Sequence, residues 1–204
     1  MNFRSCVQMV FLGLWFVAVA ASYVFLLNYK SIPGSSGSTP EVWPRESMLK
    51  PEPNRPTLIM VAHPRCPCTV ASLDALADLL SHFPKRLGTH VLFVQPEGVR
   101  AGWEKDNLWH QAEAIPDVTV SADPLGREAK RFGAATSGHV LVYHQDGRLL
   151  LSGGITAARG HAGESLGLDR LFALFQGEET APSSLPVFGC PLQGPCPACV
   201  KETK

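Results

Sequence analysis

The chain has 204 residues, room for one domain of ordinary size and its appendages. Its 18 basic and 18 acidic residues cancel. That balance gives no electrostatic footprint for a nucleic-acid partner or a strongly anionic surface, and those function classes drop out.

From Val7 to Leu27 the chain reads VQMVFLGLWFVAVAASYVFLL, an uncharged apolar run long enough to cross the roughly 30 Å hydrocarbon layer as a helix. Ala18, Ala20 and Ala21 offer the small residues of a signal-peptide cleavage site. The apolar run continues beyond them, however, so residues 1–30 read as an uncleaved membrane anchor. Arg4 and Lys30 nearly cancel under the positive-inside rule, and the absence of acids before the span sets the N-terminus inside. Cys6 stands just before the span. Residues 31–56 hold six prolines among serine and glycine, a composition that favours extended chain and reads as a linker holding a domain off the membrane. Trp43 within it has two readings, resting at the membrane interface or on the domain.

The domain is expected over residues 57–178. TLIMVA, from Thr57, fits a strand buried on both faces; Val70, Leu73, Leu76, Ala77, Leu80 and Phe83 then recur at helical spacing up to Pro84. HVLFV, residues 90–94, is a second buried strand, and Gly102 to Ala114 a weaker helix stopped by Pro116. Trp103, Leu108 and Trp109 in that helix read as packing against the sheet. VTVSA is a third strand. Asp123 and Pro124 form an N-cap and N1 pair for a helix through Arg131, with Gly133 placed to close it. HVLVY and RLLLSGG, joined through Asp146-Gly147, make a hairpin, and Leu168, Leu171, Phe172 and Phe175 stripe a final helix. The order β, α, β, α, β, α, β, β, α predicts an α/β sheet with a terminal hairpin.

At the first strand-to-helix junction the chain reads AHPRCPCTVASL, with Cys66 and Cys68 around Pro67. A thiol at a helix N-terminus meets unsatisfied N–H groups and the positive end of the dipole, which stabilise thiolate; Arg65 and a protonated His63 would act in the same direction. The bland reading, two buried small apolar side chains, suits a lone cysteine better than a pair at such a corner. Cys66, nearer the exposed turn, is the expected attacking thiol. The rival chemistry is a soft metal site for Cu(I) or Zn(II), with His63, Cys66, Cys68 and either His161 or Cys190 as ligands. His82, His110, His139 and His144 are assigned no role.

The tail, residues 179–204, contains GCPLQGPCPAC, with Cys190, Cys196 and Cys199. Three readings compete: a Cys196–Cys199 disulfide, a Cys190 that folds back to resolve or ligate the pair, and an end whose thiols do little. The first and third together outweigh the second, because a lone C-x-x-C in a tail carries little information.

A buried strand ending in a close cysteine pair that opens a helix, followed by ADPLGREAKRFGAAT and VLVYHQDGRLLLSGG, resembles the thioredoxin-like fold in its TlpA and AhpC branch. SGGITAARGHAGES and PVFGCPL resemble more narrowly the RedB-like bacterial proteins, membrane-tethered and thioredoxin-like. The resemblance covers most of residues 50–192. It implies a mixed sheet with flanking helices, a thiol site after the first strand, a bacterial inner-membrane anchor and a periplasmic domain. In such a sheet the loop after the last hairpin strand lies at the same end as the first strand's C-terminus, so the resemblance also implies that GGITAARGHAG, residues 153–163, flanks the pair, with Arg159 and His161 as neighbours. The sequence departs from the broader pattern at Arg65, where the first cysteine of Cys-x-x-Cys belongs, and at Gly138, where a cis-proline would face the site. The peroxiredoxin signature Pro-x-x-x-Thr-x-x-Cys is absent.

Two functions follow. In the first, Cys66 and Cys68 exchange electrons with a protein thiol or disulfide partner and need no cofactor. In the second, the same thiolates hold copper or zinc for delivery. The first is preferred. A Cys66–Cys68 disulfide closes a small ring around proline and is therefore expected to be labile and oxidising. Titration against glutathione measures this, and a potential below about −300 mV, the range of structural disulfides, would contradict it.

Overall fold

The computed structural model describes residues 3–35, 37–178 and 183–193. The chain divides into two compact units, Met1–Ile32 and Pro33–Lys204. The first is a single helix, α1 (Phe3–Ser31). Within it Val7–Ser31, 25 residues, is long and apolar enough to cross a membrane, and its large side chains, Phe11 and Leu14 among them, are exposed.

The second unit is built on β1 (Thr57–Ala62), α2 (Cys68–His82), β2 (Gly88–Gln95), α3 (Asn107–Glu113), β3 (Val118–Pro124), α4 (Arg127–Arg131), β4 (His139–Tyr143), β5 (Leu149–Gly154), α5 (Leu166–Gln176) and the short β6 (Ser183–Ser184). The sheet order is β3-β2-β1-β4-β5-β6. β1, β2 and β3 run parallel, whereas β4 pairs antiparallel to both β1 and β5. Central β1 is buried along its whole length, which is why its sequence is continuously apolar instead of alternating. Period-two alternation then divides its side chains between two cores. Leu58, Met60 and Ala62 join Leu73, Leu76, Leu79, Trp109, Leu168 and Leu171 on the face covered by α2, α3 and α5. Ile59 and Val61 join Leu92, Leu141, Tyr143 and Phe132 on the other.

That second face carries a difference from expectation. The stretch read as a tether lies along the domain, and the compact unit begins at Pro33 rather than Thr57. Trp43 sits edge-on to Phe132 and Tyr143, with ring centroids 5.1 and 5.2 Å away, which settles its two readings in favour of the domain. The Trp43 N–H donates to the Gly147 carbonyl at 2.8 Å, and the Tyr143 hydroxyl to that of Pro40 at 3.0 Å. Thr39 Oγ1 meets Ser152 Oγ at 2.7 Å, and Ser152 Oγ meets His139 Nε2 at 2.8 Å. Among the described residues this face is covered by one five-residue helix, α4, which leaves apolar sheet that the prolyl strap closes over.

Two further boundaries differ. The helix expected from Gly102 begins at Asn107, because Gly102 turns left-handed (φ +79°) and the Asp106 side chain caps Asn107 N–H. Strand β3 continues through Pro124, and a left-handed turn at Leu125 and Gly126 precedes α4. Asp123 still caps this helix, from further back, its two carboxylate oxygens accepting from Glu128 and Ala129 N–H at 2.9 Å each.

Trp43→Ala is expected to lower folding stability by about 2–3 kcal/mol, the scale of deleting a partly buried aromatic with two aromatic neighbours. Denaturant unfolding measures it, and a loss below about 0.5 kcal/mol, as for an ordinary surface substitution, would show that the strap stabilises nothing.

Candidate functional site

After Ala62 the chain leaves β1 through His63, Pro64 and Arg65, and α2 starts at Cys68 with Pro67 as N-cap. The Cys66 N–H donates to the His63 carbonyl at 3.1 Å, and the Thr69 N–H to that of Cys66 at 3.0 Å, so the cysteines occupy a hydrogen-bonded turn. Pro67 has helical dihedrals, φ −62° and ψ −23°; no side chain caps α2, and its first turn holds no acid to neutralise the helix dipole.

Antiparallel pairing of β1 with β4 brings the loop before β4 against this turn. Gly138 N–H donates to the Val61 carbonyl at 2.8 Å. Gly138 is left-handed (φ +86°), and a Cβ there would lie 2.6 Å from Ser72 Oγ, which explains glycine at the position where a cis-proline was the family expectation. Ser137 Oγ accepts from His63 N–H at 2.8 Å and shares a hydrogen bond with Thr69 Oγ1 at 2.8 Å. Its own N–H donates to the Cys190 carbonyl, also at 2.8 Å.

Cys190 therefore reaches the pair, the reading of the tail ranked behind its rivals. The Sγ atoms of Cys66, Cys68 and Cys190 all lie within 4.8 Å of one another. The tail is held by buried Val187 and Leu192, by a Leu192 N–H bond to the Ala135 carbonyl at 2.9 Å and by Arg159, which donates to the Gly189 carbonyl. A Cβ on Gly189 would fall 2.0 Å from the Ser137 carbonyl oxygen, so only glycine permits this approach. Cys196 and Cys199 lie outside the described residues.

Exposure reverses the expected roles of the helix cysteines. Cys66 is 1% exposed, whereas Cys68 and Cys190 are half-buried. Cys66 is the sulfur whose surroundings favour thiolate. The Cys190 thiol foremost, then the Cys68 thiol, the Cys190 amide and the Thr69 hydroxyl donate to its sulfur and hold its pKa far below the usual thiol range against the opposing effect of burial. Cys190 is pushed up by its hydrogen bond to Cys66, then by Cys68 and burial. Cys68 gains some stabilisation of its thiolate from the Cys190 thiol and from nearby Arg159, but its bond to Cys66, burial and the Cys66 charge move it up on balance. The cluster thus favours thiolate at Cys66 and thiol at Cys68 and Cys190.

His63 does not supply the expected positive charge, since burial lowers its pKa, with the Cys66 charge opposing and Arg65 reinforcing the shift. Its ring stands edge-on to Trp103 at 5.8 Å, and the Arg65 guanidinium carbon lies 4.7 Å from the centroid of the same ring. Trp103, 6% exposed, packs against the turn through these two side chains. Pro67 is exposed, and beside it a pocket of about 220 Å³ is lined by Pro64, Arg65, Cys66, Val70 and Leu108.

The metal set expected from sequence is not assembled. Among the described residues the group that could hold a soft ion is the three sulfurs, without His63 or the exposed His161. Three thiolates at Zn–S distances of about 2.3 Å would stand about 4 Å apart, close to the spacing present. Arg159 donates to the Gly189 carbonyl of the tail, and its charge acts on Cys68. Sequence reasoning missed the hub, Ser137, for which no local signal exists: a serine before a strand reads as an ordinary turn residue.

No family model matches the chain, and no curated protein matches it. Among solved structures, an uncharacterized conserved protein from Geobacillus kaustophilus superposes with a TM-score of 0.56 at 16% identity, over 81% of this chain and 93% of that one. A hypothetical protein from Sinorhizobium meliloti gives 0.55 at 18% identity, over 79% and 93%. A secreted Mycobacterium tuberculosis disulfide oxidoreductase homologous to E. coli DsbE gives 0.41 at 15% identity, over 58% and 81%. With β1-α2-β2 parallel on one side of the sheet and β4-β5-α5 antiparallel on the other, the domain has the thioredoxin-like fold.

Proposed function

We propose that this protein is a membrane-anchored thiol–disulfide oxidoreductase that exchanges electrons with a protein partner at Cys66-Pro67-Cys68. The observation that carries the reading is three sulfurs within 4.8 Å of one another at a strand-to-helix corner, Cys66 buried among donors that favour its thiolate and Cys68 solvent-reachable at the start of α2. Thiolate is the form that attacks disulfides. Cys68 is the sulfur that meets the partner, since Cys66 is buried. The exposed Pro67 and Val70 beside it offer an apolar shoulder for a polypeptide. α1 anchors the protein in a bacterial inner membrane with the N-terminus cytoplasmic and the domain periplasmic, an oxidising compartment suited to this chemistry. Within the fold we group the chain with the RedB-like proteins; SGGITAARGHAGES and PVFGCPL, which carry that resemblance, also carry Arg159 and Cys190.

The test is direct alkylation of the protein in cells, with each cysteine scored by mass spectrometry as free, bridged or protected. Wild type is expected to show a mixture of free and bridged site cysteines that shifts with added dithiothreitol, and Cys68→Ser to lose mixed disulfides with other proteins. Site cysteines that stay free and unreactive overturn the reading. Cysteines that become alkylated only after a chelator is added overturn it in favour of copper or zinc held by the three sulfurs.

A further inference from the structure

Cys66 and Cys68 are adjacent in sequence to a single proline, yet the turn between them is a poor place for a bond. A bond between their sulfurs closes a small ring around Pro67, whose dihedrals are helical, just as Cys68 opens α2. Cys190 is under no such constraint. It arrives on a separate segment with its sulfur within 4.8 Å of both others, and its backbone is fixed by Ser137. Cys68 and Cys190 are also the two half-buried sulfurs of the cluster. The Arg159 charge favours thiolate at Cys68, and its guanidinium holds the carbonyl that precedes Cys190.

We propose that Cys190 is the resolving thiol of this site and that the oxidised protein carries a Cys68–Cys190 disulfide. This rests on the exchange reading above and names its intramolecular step. The Cys68 sulfur bonds to one sulfur of a partner disulfide as that disulfide breaks; the other partner sulfur leaves as thiolate, and the Cys68 proton passes to Cys66. The Cys190 sulfur then bonds to Cys68, the mixed disulfide breaks and the second partner sulfur departs. The protons from Cys190 and Cys66 end on the two partner thiols. Two electrons and two protons have moved to the partner, and Cys66 is a thiolate again. Run in reverse from the Cys68–Cys190 disulfide, the same steps oxidise a partner dithiol.

The experiment uses full-length protein in detergent, reduced and then exposed to glutathione disulfide, quenched by alkylation and mapped by fragment-ion sequencing of disulfide-linked peptides. A peptide joining Cys68 to Cys190 is expected in wild type and in Cys66→Ser. In Cys190→Ser that peptide is absent, and a glutathione adduct on Cys68 should persist about tenfold longer or more for want of a resolving thiol. The proposal is overturned by a Cys66–Cys68 linkage, by Cys190 joined to Cys196 or Cys199, or by a Cys190→Ser protein that clears its adduct at the wild-type rate; in each case exchange itself survives. If neither adduct nor disulfide forms in any variant, the exchange reading fails and the resolving role with it.

Discussion

Ser137 holds the thiol site together with three hydrogen bonds from one buried residue. Its hydroxyl engages the backbone after β1 and the Thr69 side chain in the first turn of α2, and its amide engages Cys190. Strand end, helix start and tail are thereby indexed to a common point where water does not compete, and low local dielectric strengthens each bond. The position of Ser137 itself follows from the β1–β4 ladder and from the left-handed Gly138 that closes against Ser72. Distances between sulfurs are consequently set by backbone geometry more than by side-chain choice.

The electrostatics follow from that geometry. Three thiols gathered in a small volume cannot all ionise. The one that does is the most enclosed, because its neighbours' S–H groups, an amide and a hydroxyl take the place of water around it. A charge solvated by the protein alone is pre-organised, and it needs no rearrangement to receive or return a proton. Arg65 is turned onto the Trp103 ring, whereas Arg159 lies beside Cys68 and the tail.

Much of this fold could be read from the sequence because its determinants are local. Continuous apolar runs marked the strands buried on both faces, Asp146-Gly147 marked the hairpin, and the helical stripe after Cys68 placed the cysteine pair at a strand-to-helix corner. What escaped depended on tertiary contact. Proline, serine and glycine before Thr57 describe chain that does not pack on itself, but they are silent on whether Trp43 and Leu49 find apolar sheet elsewhere, as they do. Likewise PVFGCPL reads as coil, and its value lies in partners at residues 135–137 that no local pattern announces. The exposures of Cys66 and Cys68 were reversed for a related reason: which way a side chain points from a turn depends on the dihedrals of Pro67, and spacing does not encode them.

The tail between Val187 and Leu192 works as a ruler. Both ends are sunk in the domain, at 2% and 3% exposure. Gly189 admits no side chain where it passes Ser137, and that removes freedom to slide. In extended chain one residue advances about 3.4 Å and inverts the side-chain direction. A single insertion or deletion within these six positions would therefore move the third sulfur out of bonding range and turn it to the opposite side, with every other part of the fold intact. The chemistry of the cluster is thus encoded as a length, a kind of information that residue identities at the site do not contain.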